Sequence, residues 1–206
     1  MTAFATADDF AARIGLTLTT DEQTRATTLL TLASDLIRLE TKQTIDLVTN
    51  DALTIRSTYS ERLRLPERPV VSVASVTLTP QGGTATTIGS DTYYLEGDEL
   101  VRSAFPLRYQ QFFANWTRGW LGPLWTLTVT YTHGFATIPA VVKATTLEMV
   151  VRVWANPNSV ARETVAGVST VFDNMRYSPT GLLMTDAEKA AVNDVIRRNS
   201  GSITLR

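Results

Sequence analysis

The chain has 206 residues, of which 44% are hydrophobic and 19% charged, and its formal net charge is −1. That composition excludes a disordered chain. The absence of cysteine excludes disulfides, thiolate chemistry and cysteine-ligated zinc. No run of like charge supplies the basic face that a protein needs to grip nucleic acid by counterion release.

Thr6-Ala7-Asp8-Asp9 reads as a helix start, with acidic residues at the positive end of the helix dipole. The helix is expected to reach Ile14 and to stop at Gly15. Thr20-Asp21-Glu22-Gln23 reads as a capping box, with Thr20 as the cap and Gln23 reaching back. Ala26, Leu29, Leu30, Ala33, Leu36 and Ile37 then recur at spacings of three and four, which marks one face of a helix ending near Thr41.

From about Leu53 to Thr132 the period falls to two. Thr54 to Tyr59 and Arg62 to Leu65 are short alternating runs, punctuated by Pro66 and Pro69. Val70, Ala74, Val76 and Leu78 are expected on one face of a longer strand that turns at Gln81-Gly82-Gly83. Thr92 to Leu95 and Glu99 to Arg102 flank Glu96-Gly97-Asp98 and predict a hairpin. Trp125, Leu127, Val129 and Tyr131 alternate with four threonines in the clearest strand of the chain.

Pro139 is placed at the first position of a new helix. Its apolar residues, from Val141 to Trp154, cover most of the circumference, so burial on several sides is expected. Lys143, Glu148 and Arg152 interrupt this stretch, which is too short and too charged to span a bilayer. Met1-Thr2-Ala3-Phe4 shows no basic, then apolar, signal-peptide pattern. Asn156-Pro157-Asn158 ends the helix, and a loop or strand segment follows from about Val160 to Ser178. Thr185 to Glu188 is a further capping box, opening a last helix that ends near Arg198. The expected fold class is α+β in one domain. A small helical bundle forms from the N- and C-terminal helices (about residues 6–45 and 138–198), with a β-rich insertion at about residues 53–132 and a flexible tail at 199–206.

The usual catalytic patterns are missing. There is no phosphate-binding glycine loop, no dinucleotide fingerprint and no Gly-x-Ser-x-Gly elbow. His133, the single histidine, stands at a strand end before a turn, where a structural hydrogen bond is the expected role. The pairs Asp8-Asp9 and Asp98-Glu99 read as a helix start and a hairpin turn, although paired carboxylates for glycoside hydrolysis are a spatial matter and stay open. No catalytic residue, metal ligand or cofactor is assigned.

The segment from Phe105 to Trp125 carries seven of the chain's seventeen aromatic residues. Core filling, subunit contact and a stacking platform for sugars or bases are all open for it. Candidate interface residues are Phe112, Phe113, Trp116, Arg118 and Trp120 in this segment. Val150 and Trp154 on the apolar helix join them, as do Arg162, Glu163 and Phe172 beyond it.

Several runs, in order, resemble the head–tail connector (adaptor, or head-completion) proteins of siphophages. They are Ala7-Asp8-Asp9-Phe10-Ala11-Ala12-Arg13-Ile14-Gly15; Ala33 to Arg38; Leu65-Pro66-Glu67-Arg68-Pro69-Val70 through Val76; Val129 to Phe135 followed by Ile138-Pro139 and the helix ending Ala155-Asn156-Pro157; Glu163 to Ser169; and Leu183 to Glu188. The departure is the long aromatic stretch. The resemblance implies a virion structural protein and not an enzyme, located at the neck and assembled in the host cytoplasm. It implies a homo-oligomeric ring, usually dodecameric, beneath the portal protein. Such a ring extends the DNA channel, lets packaged DNA pass without sequence-specific binding, and offers a platform to the next neck or tail protein. Two other readings stay open: a carbohydrate- or ligand-binding β module using residues 105–125, and another neck or tail-completion protein. No membrane partner is expected. The segment Val160–Ser178 and the tail are candidate arms that order on assembly.

Overall fold

The computed structural model describes residues 2–58, 60–102, 120, 124–155, 162–165, 168–171 and 182–198. It divides into two compact units, one of residues 1–43 and 138–195, the other of residues 44–137 and 196–206. The class is α+β.

The first unit holds the helices and a short two-stranded ribbon. α1 (Ala7–Ile14) is capped by Thr6, whose hydroxyl accepts from the Asp9 amide while the Asp9 carboxylate accepts from the Thr6 amide. Gly15, at φ 70°, ends it in the left-handed region that glycine adopts without penalty. α2 (Thr20–Thr41) starts one residue earlier than the sequence reading places it, with Thr19 as the cap and Glu22 reaching back. Both Thr19-x-x-Glu22 and Thr20-x-x-Gln23 fit the box. The carboxylate wins because a charged acceptor bonds the orphan amide more strongly and also meets the positive end of the dipole. Thr19→Ala is therefore expected to cost about 1 kcal/mol and Thr20→Ala almost nothing, a difference that urea unfolding of the two variants resolves.

α3 (Ala140–Ala155) starts after Pro139, whose carbonyl accepts from the Lys143 amide, so the proline caps the helix and does not occupy its first position. α3 packs on both α1 and α2. Phe10, Ala26, Leu30, Ala33, Ile37, Val142, Met149 and Val150 are buried in this unit. α4 (Asp186–Arg198) opens on the Thr185–Glu188 capping box. It is pinned to α3 by Arg152, whose guanidinium donates to both Glu188 oxygens at 2.7 and 3.0 Å and to the Leu183 carbonyl at 2.8 Å. Lys189 reaches Glu40 of α2 at 2.8 Å.

The partial burial of Glu188 raises its pKa, but the bonds from Arg152 and from the Thr185 amide outweigh this and leave it below the ordinary 4.5. A folded-state pKa below the unfolded one contributes stability above the unfolded value, and that contribution is lost as pH falls through the folded value. Glu188→Gln is therefore expected to lower the melting temperature at pH 7 and to flatten its fall below pH 4.5, as read by thermal unfolding across pH.

The second unit is built of two antiparallel sheets. β1 (Val48–Arg56), β7 (Trp125–His133), β3 (Val70–Pro80) and β4 (Thr86–Thr87) form one, in that order. β2 (Arg62–Arg64), β6 (Glu99–Arg102) and β5 (Tyr93–Glu96) form the other. The β5–β6 hairpin turns through Gly97 and Asp98 as the sequence predicts. Both sheets contribute to one core of Leu63, Leu65, Val76, Leu78, Leu100, Trp120, Leu127, Val129 and Tyr131.

Two sequence expectations shift here. β1 starts at Val48, not near Leu53, because a bulge and the left-handed Asn50 (φ 54°) carry the strand through residues that favour turns. Ala74 leaves the inner face because β3 bulges between Val73 and Ser75, making it the extra, exposed residue. Val73 packs on the core in its place, and Val70 packs there as expected. β8 (Arg162–Val165) and β9 (Val168–Val171) form a separate two-stranded ribbon.

Candidate assembly surface

Most of the acidic residues and the histidine singled out in the sequence hold structural contacts. Asp9 caps α1 and pairs with Lys143 at 2.8 Å. The Lys143 hydrogen bond, aided by the Thr6 amide, holds the Asp9 carboxyl at about 2. Asp98 is buried in its turn and accepts from the Val70 amide at 3.2 Å, while Glu99 pairs with Arg62 at 3.1 Å. Asp9, Asp98 and Glu99 thus each have a structural partner, while Asp8 is exposed in the first turn of α1. His133 is buried at the end of β7 with Nε2 3.3 Å from Asp51 Oδ2 and its ring 5.0 Å from that of Tyr131. Burial pushes the Tyr131 phenol up to about 12. No nucleophile stands in hydrogen-bond contact with His133 among the described residues. Nor does any group of three or more His, Asp or Glu side chains there form a metal cluster.

The sequence-chosen interface residues fare differently from one another. Trp120 is fully enclosed in the β core, its indole nitrogen donating to the Glu61 carbonyl at 3.2 Å. A ring so enclosed offers no face to a sugar or base, which removes it from the stacking-platform reading. Val150 is fully buried in the helical unit. Trp154 is half-buried, set edge-on to Phe10 with ring centres 5.1 Å apart, and Arg25 lies 4.7 Å from the indole centre. Arg162 and Glu163 fall on β8. Phe112, Phe113, Trp116, Arg118 and Phe172 lie outside the described residues, as do most of the aromatic segment and the tail 199–206.

The structure also assembles a surface that the sequence reading missed. On the face of the four-stranded sheet opposite the core, Thr126, Thr128 and Thr130 of β7 lie beside Arg56, Thr54 and Ala52 of β1. On their other side they meet Thr79, Thr77 and Ser75 of β3. Thr54 and Thr128 share a hydroxyl hydrogen bond of 3.2 Å. Apart from Arg56, this three-strand array of methyls and hydroxyls is uncharged. The signal was present in the alternating threonines of β7, but the partners come from strands about fifty and seventy residues earlier.

No family model matches this chain, and no curated protein does. Solved structures do match. This chain shares its fold with chains of a particle neck. One belongs to the neck of an empty gene transfer agent particle computed with C6 symmetry, at 14% identity and a TM-score of 0.52, over 78% of this chain and 83% of that one. Another belongs to the virion of a native gene transfer agent particle, at 15% identity and a TM-score of 0.51, over 77% and 81%. The matched extent is too large for either the helical or the β unit alone, so the likeness takes in parts of both.

Proposed function

We propose that the chain is a structural subunit of a virion neck, a head–tail connector that forms a homo-oligomeric ring under the portal protein. The observation that carries this reading is the fold shared, over more than three quarters of the chain, with chains from gene transfer agent particles. The ordered runs that resemble siphophage connectors support it independently. The ring extends the DNA channel and presents a platform to the next neck or tail protein. It lets DNA through without holding it: the net charge is −1, and a chain with no run of basic residues has little to release counterions with and so does not bind a phosphate backbone tightly. Ring closure needs two different surfaces on each subunit.

The test is to mix purified protein with DNA-filled, tailless heads of the parent particle, sediment them, and image the pellet. A ring at the single portal vertex is expected, and it would show the subunit number directly. Attachment to tails or to host glycans, with the portal vertex bare, would overturn the connector reading.

A further inference from the structure

The described sheets end in edges, and most of these are blunted in ways that prevent strand addition. β2 carries Arg62 and Arg64, and Arg62 is paired with Glu96 and Glu99. β5 is four residues long and ends in that same Glu96. Beside β4, the open part of β3 is bulged twice, between Val70 and Ser72 and between Val73 and Ser75. β8 carries Arg162 and Glu163.

Two runs have no such device. Ala52-Leu53-Thr54-Ile55 of β1 is in regular register with Thr130 to Leu127 on one side, and among the described residues its sheet has no strand on the other. The bulge of β1 lies before Asp51 and does not reach this run. Val168-Ser169-Thr170-Val171 of β9 pairs with β8 alone among the described residues. Both runs are four residues long, uncharged, free of proline and glycine, and rich in residues that favour strands. A two-stranded ribbon is marginal in water by itself and gains stability from a third strand. Among the described residues, then, the ribbon has no third strand and the outer side of β1 has no partner.

We propose that β9 of one copy adds as a strand to Ala52–Ile55 of β1 in the next copy, so that the ribbon of each subunit extends the four-stranded sheet of its neighbour around the ring. The partner is a second copy of this chain, and the inference rests on the ring reading above. Main-chain hydrogen bonds supply the affinity in this mode of recognition, and the side chains set the register. β1 and β9 are different surfaces of one subunit, which is the heterologous arrangement that closes a ring.

The chain has no cysteine, so introduced pairs report contact without background. Ala52→Cys or Thr54→Cys would be combined with Ser169→Cys or Thr170→Cys, because Ala52 and Thr54 share one face of β1 at two registers, and of two adjacent positions in β9 one must fall on that same face. Each double variant is added to DNA-filled tailless heads, oxidised and run without reductant. A ladder of disulfide-linked multimers up to the closed ring is expected from at least one combination. Rings seen on the heads with no cross-link in any combination would overturn the β9–β1 contact and leave the connector reading intact. A cross-linked monomer would show that each ribbon covers its own β1, which also overturns it. Failure of the unsubstituted chain to form rings at the portal vertex would overturn both readings together. As a second arm, Ala52→Lys places a charge at an exposed edge position. It is expected to leave the melting temperature unchanged and to reduce ring-bearing heads about tenfold; undiminished ring formation would count against the contact.

Discussion

Replacing Trp120 with alanine is expected to destabilise the protein by about 3–5 kcal/mol. The indole is fully buried where the two sheets of the β unit meet. Its backbone amide donates to the Thr58 carbonyl at 3.0 Å, so the ring is fixed at its root as well as at its indole nitrogen. Arg102, itself buried on β6, lies with its guanidinium 5.4 Å from the ring centre. Burial pushes the Arg102 pKa down from its ordinary value. Removing the ring would leave a cavity lined by leucines and would deprive a buried cation of the π face beside it. The loss comes from both the transferred area and the void, and a tightly packed sandwich closes such a void poorly. Guanidinium unfolding followed by tryptophan-independent circular dichroism checks the size. Trp120→Phe keeps most of the volume but loses the bond to Glu61, and it should fall between the two. A loss under about 1 kcal/mol for the alanine variant would mean that the β core does not depend on this residue.

The same residue shows where sequence reading stops. Seven aromatic side chains crowd the segment from Phe105 to Trp125, and composition alone assigns them equally well to a core, a subunit contact or a ligand platform. Trp120 is assigned to the core only by residues apart from it in sequence, Leu63 and Leu100 from one sheet and Val76 and Leu78 from the other. Helix starts behave in the opposite way. The boxes at Thr6 and Thr185 are legible because donor, acceptor and spacing all lie within four residues. At Thr19 and Thr20 the same local code is degenerate, and only the stronger acceptor settles it. Strand faces fail where a bulge inserts one residue: Ala74 fits the period-two pattern, yet it is exposed because the pairing partner skips it. The sheet edges are legible last of all, since a bare edge is defined by a strand that is absent. Ala52–Ile55 reads as an ordinary alternating strand until the order of the sheet is known.

Gly134→Ala is expected to be at least as damaging, about 3–5 kcal/mol, by a different route. Gly134 has φ 88°, a conformation that an alanine adopts only with strain. A Cβ at this position would lie 2.1 Å from the carbonyl oxygen of Asp46 and 3.0 Å from that of Ile45. Both obstacles are backbone atoms, so no side-chain rotation relieves the clash. The segments cannot part cheaply either. The Phe135 amide donates to the Ile45 carbonyl at 2.8 Å, the Gly134 amide donates to the Pro69 carbonyl at 2.9 Å, and Asp46 bridges Phe135 in parallel. Ile45 is itself fully buried at φ 65°, a strained conformation for a β-branched residue, which the surrounding contacts must over-determine. Alanine would force either the loss of these hydrogen bonds or a shift of Ile45 out of its pocket. The expected result is a large drop in melting temperature, together with faster amide exchange at Phe135 and at the end of β7. Hydrogen exchange separates this from a general loss of stability, because the amides of the β5–β6 hairpin should then be less affected than those beside Gly134. Equal protection at Phe135 in the variant and the parent chain would mean that the crossing of these two segments tolerates a side chain, and the steric argument would fail.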